Sequence, residues 1–278
     1  MSTPEFSIQE QFIQFSRKHL PKYMVRFLNI PWIVRIIGRL LCIEEIFELR
    51  DRFSNLSNFE LINAINKYSG LSYIPENLHR IPSHGRLLIV ANHPLGGADW
   101  LLIVQCISSI RKDIKVVINK DVHTLIVNLR DLFIPVDTYA AFNDIARKQI
   151  GESLEREEAV LIFPSGGISI FTLKGIADRK WKNGVALFSR EHHTDVLPVF
   201  IGGRFSLAFY LYPIRLRRFL LVRNLLHNTP KNTRIIIGDR ISHVRLSDDK
   251  DLSVVSSGLR TATYQLGKKS LFLKRKTE

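Results

Sequence analysis

From residue 86 onward, short apolar runs alternate with longer stretches of helical period, and no other feature of this 278-residue chain limits its fold as much. Residues 87–91, 115–119, 133–136, 159–163, 196–201 and 234–238 are apolar runs of strand length. Residues 99–110, 121–129, 142–157, 181–190 and 252–267 instead repeat their apolar side chains at helical spacing. A strand followed by a helix and a parallel strand lays that helix on a face of the sheet. The pattern therefore predicts an α/β fold: a mixed, mostly parallel sheet flanked by helices. Ligands of such sheets bind beyond the carboxyl ends of the strands, so the strand ends are where chemistry is sought.

Residues 1–75 read differently, as an N-terminal helical, membrane-docking segment ahead of an α/β domain at 76–278. Beyond Pro31, Ile33, Ile36, Ile37, Leu40 and Phe47 recur at helical spacing, with Arg35, Arg39, Glu45, Glu48 and Arg52 on the other side. Such an amphipathic helix packs on a core or lies in a membrane interface. Arg26, Arg35 and Arg39 interrupt the best apolar run, so no segment reaches the length needed to span a bilayer. Ser57 and Glu60 fit a capping box, which predicts a helix to about Tyr68 that stops at Gly70. An edge strand is allowed in the link at 74–85. The N-terminus lacks the pattern of a secretory signal, and Cys42 and Cys106 suit packing rather than a disulfide framework. A cytoplasmic protein is expected.

Lysine and arginine outnumber acidic residues 40 to 26, a net charge of +14 that favours anionic partners. Arg215, Arg217, Arg218 and Arg223 are interleaved with Leu216, Phe219, Leu220 and Leu221, and the basic, apolar tail at 268–276 repeats the mixture. That combination suits an anionic membrane surface; without a recognisable nucleic-acid module, no nucleic-acid partner is expected. Glu191, His192 and His193 end a predicted helix, where such groups suit the dipole. With no cysteine cluster and no His-Glu-x-x-His motif, no metal site is expected.

Two strand ends carry candidate chemistry. The run 87–91 breaks into Asn92-His93-Pro94-Leu95-Gly96-Gly97-Ala98-Asp99, bringing a histidine and a carboxylate to one strand-to-helix corner. A carboxylate that fixes the tautomer of a histidine makes it a general base toward a hydroxyl. The same residues also suit an ordinary turn in which Asp99 only caps the helix. The run 159–163 breaks into Phe163-Pro164-Ser165-Gly166-Gly167, a turn whose backbone donors suit an anion or an oxyanion, although tight turns use these residues too.

Taken together, Asn92-His93 with a downstream acid, Phe163-Pro164-x-Gly166 and a strand containing Pro198 resemble the ordered blocks of the glycerolipid acyltransferase superfamily, of lysophosphatidate acyltransferase type. In that family the first block is His-x4-Asp and the third is Phe-Pro-Glu-Gly followed by an arginine that helps to bind acceptor phosphate. Here five residues separate His93 from Asp99, Ser165 replaces the glutamate, and no arginine follows directly. The His-x5-Asp spacing, the Phe-Pro-Ser-Gly-Gly form, Trp181-Lys182-Asn183-Gly184 and the stretch from Leu197 to Tyr210 resemble a bacterial branch. Members of that branch are often labelled haemolysin-like and resemble the O-acyltransferases that convert a lyso-ornithine or lyso-glycine lipid to its diacyl form.

The resemblance implies a glycerol-phosphate acyltransferase-like fold and an O-acyltransferase that moves a fatty acyl chain from acyl-carrier protein or acyl-CoA to a lyso-lipid hydroxyl. It makes His93 the general base and Asp99 its orienting carboxylate. It assigns Phe163, Pro164, Ser165, Gly166, Gly167 and Lys182 to substrate binding. Residues 132–137 match the second block, with no chemical role assigned. Lys174, Arg179 and Lys180, like Lys182, either receive an anionic headgroup or form an ordinary charged loop. The implied co-substrate is acyl-ACP or acyl-CoA, with no bound cofactor. The implied partners are the acidic carrier protein, a lyso-lipid acceptor and the anionic membrane, at the cytoplasmic face of a bacterial inner membrane. Lysophosphatidate as acceptor, or a non-catalytic basic protein that binds lipid or nucleic acid, are the alternatives.

Overall fold

The computed structural model describes residues 42–137, 144–173, 175–212, 214–247 and 251–277, together with positions 32, 36, 38 and 39. Most of the expected N-terminal amphipathic run lies outside the described residues. Its described end is α1 (Ile43–Arg52), which starts after Cys42 turns the backbone to a φ of 55°. A second helix, α2 (Asn58–Tyr68), forms where expected and ends at Gly70, whose φ of +63° suits a residue without a Cβ. The expected capping box does not form. The Ser57 side chain makes no capping hydrogen bond, and the Glu60 N–H donates to the Ser57 carbonyl instead.

The main sheet has seven strands: β1 (Tyr73–Glu76), β2 (Leu87–Ala91), β3 (Ile114–Asn119), β4 (Phe133–Val136), β5 (Ala159–Ile162), β8 (Val196–Gly202) and β9 (Thr233–Ile237). Their spatial order is β1-β9-β8-β2-β5-β3-β4. Strands β8, β2, β5, β3 and β4 run parallel, and β9 turns back antiparallel to β8 with β1 parallel to it. The expected α/β sheet is thus present, and β2, which leads into His93, lies near its middle. The expected domain boundary at 75/76 falls inside β1, an edge strand of this sheet, and Leu61, Ile62 and Leu71 share the core of the α/β unit.

Helices cover both faces because successive side chains of a central strand point to opposite sides. On β2, Leu87, Ile89 and Ala91 join one apolar layer with α3 (Gly97–Ser108), while Leu88 and Val90 join the other. The second layer is built with α5 (Asp144–Glu155), α6 (Gly184–Glu191) and α10 (Leu252–Thr277). Between β3 and β4 lie α4 (Lys120–Leu125) and a 3-10 turn (Val127–Leu132), splitting what the sequence predicts as one helix. Pro198 sits inside β8, where a missing N–H is normally a defect. Its neighbour across the ladder is Gly238, which donates to the Pro198 carbonyl at 2.8 Å and leaves room for the ring.

Five elements named below go beyond the sequence reading. The hairpin of β6 (Ile170–Thr172) and β7 (Gly175–Ala177) follows the Phe163 turn. Short helices α7 (Leu207–Leu211) and α9 (His243–Ser247) follow β8 and β9 respectively. The basic, apolar stretch is a helix, α8 (Ile214–His227), and it packs Leu220, Leu221 and Leu225 on the core. The unbroken apolar run at 219–222, with arginines on either side of it, hides the helical period.

Candidate active site

The corner after β2 is assembled by backbone and amide contacts before any ionisable group enters. Asn92 lies beyond the ladder and extends it with its side chain: its Nδ2 donates to Ile201 O at 2.9 Å, and Ile201 N–H donates to its Oδ1 at 2.7 Å. Leu95 is fully buried. Gly96 then takes φ 60° and ψ −122°, a conformation open only to glycine, and turns the chain directly into α3.

The result is a histidine–carboxylate pair. His93 Nδ1 meets Asp99 Oδ2 at 2.9 Å, and the same oxygen accepts the Leu95 N–H at 2.9 Å. The other oxygen of Asp99, Oδ1, is buried with no hydrogen-bond partner. Burial therefore raises this carboxyl from 3.8 to about 6, with Asp178 adding repulsion, against the lowering effect of the bonds from His93 and Leu95. The side chain of Asp99 is 0% exposed, whereas that of His93 is 16% exposed, and its Nε2 makes no hydrogen bond among the described residues. A ring fixed through Nδ1 with an open Nε2 is the geometry of a general base. The reading of Asp99 as only a helix cap is set aside, since its carboxylate faces His93.

The histidine is held from a second side by a residue that motif reasoning missed. Asp178, 3% exposed, accepts the His93 backbone N–H at 3.1 Å and the Ser169 hydroxyl at 2.6 Å on Oδ1, and the Trp181 indole N–H at 2.9 Å on Oδ2. Its own N–H donates to the Tyr264 hydroxyl at 2.7 Å, and Arg260 donates to its carbonyl at 2.8 Å. Ser169 N–H donates in turn to the His93 carbonyl at 2.8 Å. One buried residue thus ties the dyad loop, the hairpin and the Trp181 segment together through its carboxylate, and α10 through its backbone. Its sequence signal is faint: it is the only acidic residue between 159 and 190. Tyr210, also missed, donates to the Pro94 carbonyl at 2.8 Å, and burial holds its phenol neutral by pushing it up to about 12.

The Phe163 turn reaches the dyad directly. The Phe163 ring stacks on His93 with centroids 4.2 Å apart. Gly166 adopts a φ of 64°, and its N–H donates to the Phe163 carbonyl. The Ser165 hydroxyl donates to the Gly167 carbonyl at 2.6 Å, so it is spent on holding the turn. Pro164 O accepts the Lys182 N–H at 2.9 Å, and the exposed Lys182 side chain passes so close that a methyl group on Gly166 would lie 3.0 Å from its Nζ. Of the other cations singled out in sequence, Arg179 and Lys180 are exposed and Lys174 lies outside the described residues. Asp137, at the end of the second block, pairs with Lys120 beside the far edge strand β4.

Glu191 pairs with Arg147. Among the described residues, the grouping with the right atoms for a metal is Cys42, Glu45 and His227, where Glu45 already accepts from Tyr68 at 2.8 Å and meets His227 Nε2 at 2.9 Å.

With this geometry, comparisons with known proteins are informative. A family model described as Acyltransferase matches residues 13–276. A lyso-glycine lipid O-acyltransferase of Bacteroides thetaiotaomicron is 25% identical over 196 residues, covering 69% of this chain and 68% of that protein. One of the same description from Phocaeicola vulgatus is 23% identical over 194 residues, covering 69% of this chain and 66% of that protein. The crystal structure of the 1-acyl-sn-glycerophosphate acyltransferase PlsC from Thermotoga maritima superposes with a TM-score of 0.52 at 15% identity, covering 84% of this chain and 95% of that one. That likeness shows the same fold. The alternative of a non-catalytic basic binding protein falls, because the family model spans both strand-end turns and the dyad they enclose. The chain belongs to the acyltransferase family and is an O-acyltransferase.

Proposed function

We propose that the enzyme transfers a fatty acyl chain from acyl-carrier protein or acyl-CoA to the hydroxyl of a lyso-lipid, with a lyso-aminolipid such as lyso-glycine or lyso-ornithine lipid as acceptor. The observation that carries this reading is the open Nε2 of His93 above a buried, hydrogen-bonded Asp99. His93 Nε2 takes the proton of the acceptor hydroxyl as its oxygen attacks the thioester carbonyl carbon. The negative charge collects on the former carbonyl oxygen. The N–H groups of Gly167 and Ile168 make no hydrogen bond among the described residues and are assigned to that charge. Collapse breaks the carbon–sulfur bond, and the departing thiolate takes the proton back from Nε2. The products are an ester and a free thiol, and neither proton movement calls on a metal or bound cofactor.

Phe163 sets the plane of the His93 ring, and Pro164, Ser165, Gly166 and Gly167 shape the wall beside it. Lys182 is assigned to the anionic part of the acceptor headgroup. The names of the two relatives support an aminolipid acceptor, as does the absence of an arginine directly after the third block. No helix among the described residues is long and apolar enough to cross a membrane, and the enzyme is proposed to act peripherally, at the cytoplasmic face of a bacterial inner membrane.

The test is acyl transfer from acyl-carrier protein and acyl-CoA to lyso-glycine lipid, lyso-ornithine lipid and lysophosphatidate in detergent micelles. The aminolipid acceptors are expected to react fastest, and His93→Ala to lose at least about 100-fold, the lower range for a general base. Full activity in a folded His93→Ala enzyme would sink the mechanism. Preference for lysophosphatidate would reassign the acceptor.

A further inference from the structure

We propose that the face formed by the β6–β7 hairpin and α7 is the surface with which this enzyme lies on an anionic bilayer, set around the dyad loop. The purpose of that surface rests on the lyso-lipid reading above. Phe171 and Leu173 of the hairpin, and Leu207, Leu211 and Tyr212 of α7 and its end, are exposed. Leu173, at the hairpin turn, is fully open to solvent. Single exposed apolar residues are ordinary, but α7 packs against β6, so these form one patch rather than scattered positions.

Charge selects the occupant. Arg179 and Arg204 are exposed and Arg217 is half-buried, and none of the three forms an ion pair among the described residues. Elsewhere Arg86 pairs with Glu157, Arg147 with Glu191 and Arg234 with Glu76. Arg179 lies close enough to Arg217 to repel its charge, and residues 196–238 contain no aspartate or glutamate at all. Apolar side chains ringed by cations that lack counter-ions match a membrane with acyl chains inside and phosphates outside. The patch is joined to the reaction centre through short links. Ser169, just before β6, donates to the His93 carbonyl, and Tyr210 of α7 donates to the Pro94 carbonyl.

The experiment places a thiol-reactive, environment-sensitive fluorophore on the full chain through Leu173→Cys or Leu211→Cys, with Lys148→Cys on α5 as control. Cys42 and Cys106 are buried, and α5 covers the opposite face of the sheet. With phosphatidylglycerol–phosphatidylcholine vesicles, labels at 173 and 211 should shift to the blue and become shielded from an aqueous quencher, while the label at 148 stays unchanged. Arg179→Glu with Arg204→Glu should weaken that response several-fold. A label at 173 that stays wet on bound vesicles overturns the proposal, as does a protein that fails to bind them. So does a label shielded before vesicles are added, which would mean that the chain covers this face itself. A shift produced by acyl-carrier protein and not by vesicles would reassign the face to that partner. Acyl transfer in detergent micelles needs no bilayer, so its failure would mark the lyso-lipid reading alone.

Discussion

At the scale of the residue, Asp99 is asymmetric: one oxygen accepts two hydrogen bonds, the other is buried with none. In the proposed mechanism the carboxylate is needed beside His93, yet it is poorly solvated there, and this sets opposite demands on activity and stability. Its folded-state value, raised from 3.8 to about 6, means that the native state favours the protonated acid. That preference is present in full below pH 3.8 and is lost as pH rises through 6, leaving a penalty of roughly 3 kcal/mol above it. Asp99→Asn is therefore expected to resist urea better than the parent at pH 7.5, by up to about 3 kcal/mol, with the gap closing near pH 4. The same substitution should depress acyl transfer strongly, because a neutral amide no longer stabilises the imidazolium. Equal urea midpoints at pH 7.5 would contradict the assigned burial cost. The parent's kcat/KM should also fall as pH drops below about 6 and Asp99 takes up a proton.

At the scale of the element, the turn between β2 and α3 is shaped as much by what covers it as by its own residues. Gly96 lies under α8, and a Cβ there would meet Leu221 Cδ2 at 2.8 Å and Ile168 Cδ1 at 3.3 Å. Gly96→Ala is expected to destabilise the fold by about 1–3 kcal/mol for the backbone conformation alone, with the contact adding to it. Adding Leu221→Ala should recover only the contact portion, so the double variant should stay less stable than Leu221→Ala; full recovery in thermal unfolding would refute the backbone argument. Likewise, the arginine-rich stretch at 215–223 suggests a lipid-facing segment in sequence, yet α8 turns Leu220, Leu221 and Leu225 inward. The exposed apolar side chains lie instead on α7 and the hairpin. Local composition identified an apolar, basic mixture, but only the packing of α8 on α3 told which parts of it face out.

At the scale of the whole molecule, the charge of +14 is unevenly spent. Many arginines outside the dyad face are tied to carboxylates, while the cations beside the hairpin and α7 stand without them. Exposed charge of this kind is screened over about 10 Å at 0.1 M salt and about 3 Å at 1 M. Binding to phosphatidylglycerol-containing vesicles should therefore weaken steeply between these salt concentrations, as sedimentation with the vesicles would show. Salt-independent binding would instead point to apolar insertion acting without the cations.

The sequence by itself determined the sheet and the two turns that matter. The apolar runs were long enough, and their Pro/Gly terminations distinct enough, to mark β2, β5 and β8 and the corners at His93 and Phe163, because these signals are local. What it could not supply was the third partner of the dyad. Asp178 lies 85 residues from His93 and reaches it only because the hairpin folds back and α10 closes behind it. Nor could spacing alone say whether five residues between His93 and Asp99 leave the pair in contact. That was decided by the backbone of Gly96 and by the side chains of Leu221 and Ile168 packed over it. Hydrophobic period and turn chemistry are written along the chain, whereas the desolvation and hydrogen bonds that make a carboxylate and a histidine act together arise only once distant segments enclose them.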